Sequence, residues 1–285
     1  MRELVVLSGK GGTGKTSICG SLAVLAANKV LADCDVDAAN LHLLLEPEIK
    51  SSSPFYGLPK AQINDDLCLA CDLCAHLCRF NAIRGQRVLT GNCEGCGVCY
   101  HACPCEAVEM LPHIAGELHL SKTRYGPLVH ANLGVAEDNS GKLVAAVRKK
   151  ARQVAEAEKK ELIITDGPPG VGCPVISCLS GIDLVLVVTE PTLSGMHDME
   201  RMLDLADFFN VKAVVCINKW DLHPGNTESI EASCRRRDVP VPVRLPYDQI
   251  VKEAACRAQP VVQYGSGPVV DGIVALWDEL RTRLV

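Results

Sequence analysis

The segment Gly9-Lys10-Gly11-Gly12-Thr13-Gly14-Lys15-Thr16 constrains this chain more than any other stretch of it. It has the pattern G-x-x-x-x-G-K-[ST], follows the apolar run Leu4 to Leu7 and precedes an apolar segment from Ser17 to about Ala27. It therefore joins a predicted buried strand to a predicted helix, the setting the pattern needs to bind phosphate. The glycines let backbone N–H groups curl around phosphate oxygens at a helix N-terminus. Lys15 meets the β and γ phosphates, and the Thr16 hydroxyl ligates Mg²⁺. Gly9 through Ser17 is thus the expected nucleotide cradle.

The rest of the chain continues the alternation. Val30 to Ala32 reads as a strand ending in Asp33, Glu117 to Lys122 as a strand, Lys142 to Lys159 as a charged amphipathic helix, and Glu161 to Thr165 as a strand ending in Asp166. Asp183 to Val188, Ala213 to Ile217 and Val239 to Leu245 are further strands. They are separated by helices near 195–209 and 228–236 and followed by two closing helices. Strands alternating with helices imply an α/β fold with a mostly parallel sheet covered on both faces. The Ser, Pro and Gly of Ser51 to Pro59 mark a linker or boundary.

Between the two parts of this domain, 1–58 and 113–285, lies a segment of different character, 59–112. Cys68, Cys71, Cys74 and Cys78 recur 25 residues on as Cys93, Cys96, Cys99 and Cys103, and Asn81-Ala82-Ile83 recurs as Glu106-Ala107-Val108. Two half-modules, each too small to bury a core alone, would pack face to face around metal. Each C-x2-C-x2-C-x3-C run resembles the bacterial ferredoxin pattern, in which three close thiolates hold one [4Fe–4S] cluster and the fourth crosses to the other. That resemblance implies one cluster on Cys68, Cys71, Cys74 and Cys103 and a second on Cys93, Cys96, Cys99 and Cys78, in a small inserted α+β domain. Structural zinc also takes C-x2-C pairs and is the alternative. Pro104 follows Cys103 as in the usual run, whereas Arg79 follows Cys78.

Lys10 is not required by the phosphate pattern, and a solvated loop lysine is its plain reading. Together with the rest of the loop, however, it makes the deviant form of MinD/ParA-type ATPases. The chain resembles that superfamily again at Asp33 to Leu41 and at Asp166-Gly167-Pro168-Pro169-Gly170. The superfamily includes Mrp-type cluster carriers and the nitrogenase iron protein. The resemblance implies that Lys10 reaches across a dimer to the partner's nucleotide, that Asp35 orients the attacking water, and that Asp33 and Asp166 are the acidic groups on the Mg²⁺ side. Gly170 would give its N–H to the γ-phosphate. Lys10, Lys15, Asp35 and Asp166 are then the expected catalytic set, and Asp37 is read as a surface residue.

Asn218-Lys219-Trp220-Asp221 matches N-K-x-D, which is also a guanine-reading signature. In the MinD-like group, Asn218 would contact adenine, with Pro246-Tyr247-Asp248 as the second base-lining loop. ATP is favoured, on the form of the Lys10 loop, and GTP is the alternative. Cys173, past the Pro168 to Gly170 segment, resembles a ligand for a cluster shared between two subunits, with Cys178 one helical turn on. A helix-start thiol packed in the core is the competing reading. Cys19, Cys34 and Cys216 lie in apolar contexts where cysteine behaves as a small hydrophobe.

A chain of 285 residues, 48% hydrophobic, with net charge -5, disfavours a nucleic-acid or anionic-membrane surface. With no export signal and no apolar run near the roughly 20 residues of a membrane span, a reducing cytoplasm is expected, and with it metal rather than disulfides. The expected function is an ATPase that couples nucleotide state to electron transfer through two [4Fe–4S] clusters. Its partners would be a second copy or a paralogue in a nucleotide-dependent dimer, and a redox or iron–sulfur protein. A cluster carrier or assembly scaffold and a MinD-like spatial regulator with a redox-sensing module are the alternatives.

Overall fold

A computed structural model describes residues 1–35, 39–134 and 140–284; Asp37 lies outside them. The chain divides into two compact units, one made of Met1–Ser52, His119–Ala131 and 140–284, the other of Ser53–Leu118 with residues 132–134.

In chain order the elements are β1 (Arg2–Ser8), α1 (Lys15–Leu25), β2 (Lys29–Asp33), α2 (Leu41–Leu45), β3 (Glu48–Tyr56), β4 (Lys60–Ile63), α3 (Leu73–Leu77), β5 (Ile83–Arg84), β6 (Arg87–Val88), α4 (Val98–Ala102) and β7 (Val108–Leu111). Then follow β8 (Ile114–Thr123), β9 (Gly126–Leu133), α5 (Ser140–Ala157), β10 (Leu162–Pro169), α6 (Cys173–Leu179), β11 (Leu184–Thr189), α7 (Leu193–Phe208), β12 (Lys212–Asn218), α8 (Pro224–Arg236), β13 (Val243–Leu245), α9 (Gln249–Cys256), α10 (Val261–Tyr264) and α11 (Pro268–Arg283).

The large unit is built on a sheet of order β13-β12-β11-β1-β10-β2-β9-β8-β3. β1 pairs in parallel with β10 and β11, β10 with β2, β11 with β12, β12 with β13, and β2 with β9. The central strands are buried on both faces, which is why Leu4 to Leu7 and Leu184 to Val188 are continuous apolar runs instead of alternating ones. Leu4, Val6, Leu31, Ile164 and Leu186 pack with Ile18 and Leu22 of α1 and Ile273, Leu276 and Leu280 of α11. Register then sets the site: Asp166, inside β10, stands opposite Val6 and opposite Asp33 at the end of β2, so both acids lie towards the carboxyl edge from which the loop after β1 emerges.

Two expectations need correction. The Ser- and Pro-rich stretch holds the boundary between the two units, at Ser52 and Ser53, but it is not an open linker: Ser51 to Tyr56 lies within β3, and Ser52 Oγ bonds His119 Nδ1 at 2.8 Å. An edge strand has no need of apolar alternation and tolerates proline. β9 lies where the sequence pattern predicts no strand, and among the described residues three helices, α9 to α11, close the chain where two are expected.

In the small unit β4 pairs antiparallel with β7, and β5 with β6. The 25-residue repeat is written into its backbone. Ala70 and Gly95, Asp72 and Gly97, and Asn81 and Glu106 are equivalent pairs, and all six residues have positive φ. The turns of α3 and α4 are too short to persist alone. They are backed by a small core of Ala61, Ile63, Ala82, Ile83, Cys93 and Val108, with Cys68, Cys74, Cys78, Cys99 and Cys103 packed against it.

Candidate functional site

The loop between β1 and α1 is shaped by its glycines. Gly14 caps α1 at φ 92°, and a Cβ there would lie 2.4 Å from Asn218 Nδ2; a Cβ on Gly9 would lie 2.1 Å from Asp198 Cβ. α1 has no side-chain cap, which leaves its first N–H groups directed at the loop, as an anion site requires. A cleft of about 520 Å³ opens over it. Its walls include Gly11 to Ser17, Asp35, Asn40, Pro169, Asn218, Lys219, Pro246, Tyr247 and Asp248, together with Val251, Lys252 and Ala255 of α9.

Within the cleft Lys15 is buried and donates to Asp166 Oδ1 at 2.9 Å and Asp35 Oδ2 at 3.1 Å. Burial alone would lower its pKa; the charges of Asp166 and Asp35 outweigh that and push it above the usual lysine range. Asp166 lies beneath the cleft floor, fully buried, with Oδ1 on Lys15 and Oδ2 given no oxygen or nitrogen donor among the described residues, and Thr16 lines the cleft above. A carboxylate oxygen without an N–H or O–H donor and a threonine hydroxyl are oxygen ligands of the kind a hard cation such as Mg²⁺ takes.

Asp33 does something other than expected. Its Oδ1 accepts the Asp35 N–H and its Oδ2 the Leu41 N–H, both at 3.1 Å, so its carboxylate braces the ends of segment 33–41 and does not line the cleft. Burial, reinforced by the Asp166 charge, holds its carboxyl well above the usual range. Gly170 is also placed differently, because its N–H is given to the Ser8 carbonyl at 3.0 Å while Pro169 faces the cleft. Lys10 lies outside the cleft lining, with its ammonium 2.6 Å from Glu190 Oε1.

At the base end, Asn218 Nδ2 donates to the Thr13 carbonyl at 2.7 Å and Lys219 Nζ to the Gly12 carbonyl at 3.0 Å, tying the end of β12 to the loop. Asp248 caps α9 through the Ile250 N–H, and Asp221 Oδ1 accepts the Tyr247 N–H at 2.7 Å. Glu190 and the α9 wall carry no signature in the sequence, and the N-K-x-D pattern does not foretell the bond from Lys219 to the phosphate loop.

In the small unit the cysteines sort into two recesses. Cys68, Cys71, Cys74 and Cys103 line one, joined by Cys105; Cys78, Cys93, Cys96 and Cys99 line the other, joined by Phe80. The fourth cysteine of each run thus crosses to the other set. Equivalent N–H groups support the crossing sulfurs, Ala82 to Cys78 Sγ at 3.4 Å and Ala107 to Cys103 Sγ at 3.3 Å. Four thiols around one recess, with a backbone donor on the crossing sulfur, suit a thiolate-ligated cluster. Among the described residues no three His, Cys, Asp or Glu side chains are grouped closely enough to hold a single metal ion.

Cys173 and Cys178 do not share a ligand face. Cys173 is exposed at the start of α6, whereas Cys178 is fully buried beside Val175 and Leu179. Interaction with the Cys178 thiol, and burial, raise the Cys34 pKa.

A parallel sheet, a glycine loop between its first strand and helix, and the carboxylates of Asp35 and Asp166 on Lys15 define a P-loop nucleotide-binding protein. Residues 4–261 match the CobQ/CobB/MinD/ParA nucleotide binding domain, and the chain belongs to that family. It is 40% identical over 220 residues to the uncharacterized protein MJ0578 of Methanocaldococcus jannaschii, covering 76% of this chain and 78% of that one. It is 24% identical over 278 residues to the septum site-determining protein MinD of Neisseria meningitidis, covering 92% and 84%. Among solved structures it resembles the cell division ATPase MinD of Pyrococcus furiosus, with a TM-score of 0.60 at 19% identity, covering 99% and 98%. MinD of Pyrococcus horikoshii, complexed with Mg-ADP, gives 0.59 at 17%, covering 98% and 95%; at such identities the likeness concerns the fold alone. Among the described residues no helix is long and apolar enough to cross a membrane.

Proposed function

We propose that this protein is a Mg²⁺-dependent ATPase whose nucleotide state governs electron transfer through two [4Fe–4S] clusters. One would be held by Cys68, Cys71, Cys74 and Cys103, the other by Cys93, Cys96, Cys99 and Cys78. The observation that carries the reading is the crossed sorting of these eight cysteines into two recesses in a member of a nucleotide-binding family.

In this reading the Gly11 to Thr16 backbone and Lys15 bind the phosphates, and Lys15 exchanges carboxylate partners for phosphate oxygens as ATP enters. Asp35, released from Lys15, orients the attacking water, and Lys10, supplied by a second copy or a paralogue, stabilises charge on the leaving phosphate. Thr16 and Asp166 hold Mg²⁺, which supplies positive charge to the phosphates. The clusters, when bound, supply one-electron chemistry. Adenine is favoured over guanine because Asp221 already accepts the Tyr247 N–H and lies outside the cleft lining. Cys71 and Cys96 are exposed at equivalent positions, which suits electron exchange with a redox protein partner.

Anaerobic electron paramagnetic resonance of the reduced, iron-loaded protein, with and without Mg-ATP, tests this. About eight iron atoms per chain and a spectrum that changes with ATP but not GTP are expected. An unresponsive spectrum would sink the coupling, and net loss of iron to an apo-acceptor would favour carriage.

A further inference from the structure

The loop lysine is held by its own chain in a site that matches its chemistry. An ammonium group has three N–H donors. Lys10 Nζ finds three oxygens in the turn after β11 and the first turn of α7: Glu190 Oε1 at 2.6 Å, Thr192 Oγ1 at 3.2 Å and Ser194 Oγ at 3.4 Å. The turn is built tightly around them. Thr192 Oγ1 also caps α7 by accepting the Gly195 N–H at 3.0 Å, and a Cβ on Gly195 would lie 2.5 Å from the Glu190 carbonyl oxygen.

Glu190 has a second cation. Its Oε2 lies 3.2 Å from Lys219 Nζ, which also donates to the Gly12 carbonyl, and Lys219 follows Asn218, itself bonded to Thr13. One carboxylate, 13% exposed, therefore links the loop lysine to the base end of the cleft. Burial works against its ionised form, but hydrogen bonds from Lys10 and Lys219 and their charges prevail and hold its carboxyl below the usual range.

We propose that Glu190 is a positioning residue that retains Lys10 in its own chain and couples that hold, through Lys219, to the base end of the nucleotide cleft. The inference rests on the reading above, in which Lys10 acts on a partner's nucleotide. To reach it, Lys10 must leave three oxygen partners, and a nucleotide that draws on Lys219 changes the charge left on Glu190 to oppose that departure. The cradle thus sets how readily the lysine is released.

The test is competitive acetylation of the full-length protein by limiting acetic anhydride, read lysine by lysine by peptide mass spectrometry with and without Mg-ADP. In E190Q, Lys10 should label roughly two- to fivefold faster than in the parent without nucleotide, while the exposed Lys149 is unchanged. E190D, which keeps the charge on a shorter arm, should fall between and serves if E190Q does not fold. In K219M, Lys10 should label more slowly, because the carboxylate is no longer shared. Unchanged Lys10 labelling in E190Q and E190D overturns the hold, and equal or faster labelling in K219M overturns the coupling. Protection of Lys15 by Mg-ADP reports separately on the nucleotide cleft, so failure of that assignment is distinguished from failure of the cradle.

Discussion

Lys15 Nζ stands 2.9 Å from Asp166 Oδ1, joining the first residue of α1 to the carboxyl edge of β10 across a separation of 151 residues. With Asp35 on its other side, the lysine assigned to phosphate is also the counter-ion of two buried carboxylates. The same group therefore has a structural role and a binding role, and the two separate experimentally.

Lys15→Ala should lower ADP affinity by on the order of 100-fold or more, read by fluorescence titration. It should also lower unfolding free energy by about 3–5 kcal/mol without added nucleotide, because Asp166 and Asp35 lose their buried partner. K15A/D166N should recover part of the stability and none of the affinity. Unchanged urea midpoints for K15A would show that the pair carries no structural weight.

Glu3 makes a second buried junction. Its carboxylate pairs with Arg148 at 2.8 Å and with Arg152, while its N–H donates to Asp183 Oδ2 at 2.8 Å. The Arg148 side chain is only 7% exposed, so Glu3→Gln leaves a buried guanidinium without its anion. A loss of about 3–5 kcal/mol in urea unfolding is expected, with nucleotide affinity retained. A loss below about 1 kcal/mol would mean that solvent reaches the pair.

His130 predicts how stability follows pH. Burial, with the neighbouring His119 and His42 rings, lowers its pKa from 6.5 to about 4, and Ser121 Oγ bonds its Nε2 at 2.9 Å. The folded chain keeps the ring neutral while the unfolded chain takes up a proton below pH 6.5. Stability is therefore full above that value, falls between pH 6.5 and 4, and is level below. The loss across this window should be on the order of 2–3 kcal/mol. H130Q, which can still bond Ser121, should show a shallower acid slope; an identical slope would assign the dependence to other groups.

What was legible in the sequence was what is local. The Gly9 to Thr16 loop and the strand end at Asp33 carry their geometry within a dozen residues and lie where the pattern places them, whereas the strand expected to end in Asp166 runs on to Pro169. The strand at Ser51 to Tyr56 was hidden because an edge strand can be exposed and serine-rich. The partners of Lys10 were hidden because Glu190 lies 180 residues away, and charge alone does not say which of many acids a lysine meets. Asp33 failed differently: its place at the strand end was right, but its two oxygens are claimed by the Asp35 and Leu41 amides, which no pattern of side chains reveals.

The crossed arrangement of cysteines separates the ferredoxin reading from its rivals most sharply. Neighbours in sequence, such as Cys74 and Cys78, line different recesses, whereas Cys78 shares one with Cys99 and Cys103 shares the other with Cys68. If each recess holds one [4Fe–4S] cluster, variants should pair by recess and not by run. C78S and C99S should lose the same paramagnetic signal and about four iron atoms per chain, and C103S and C68S the other. The small core of Ala61, Ile63, Ala82, Ile83 and Val108 remains in all four variants, so ATP binding by the large unit should persist. If C78S instead removed the signal that C74S removes, each run would hold its own metal. The repeat would then be two independent sites, and the two-cluster wire would be lost with it.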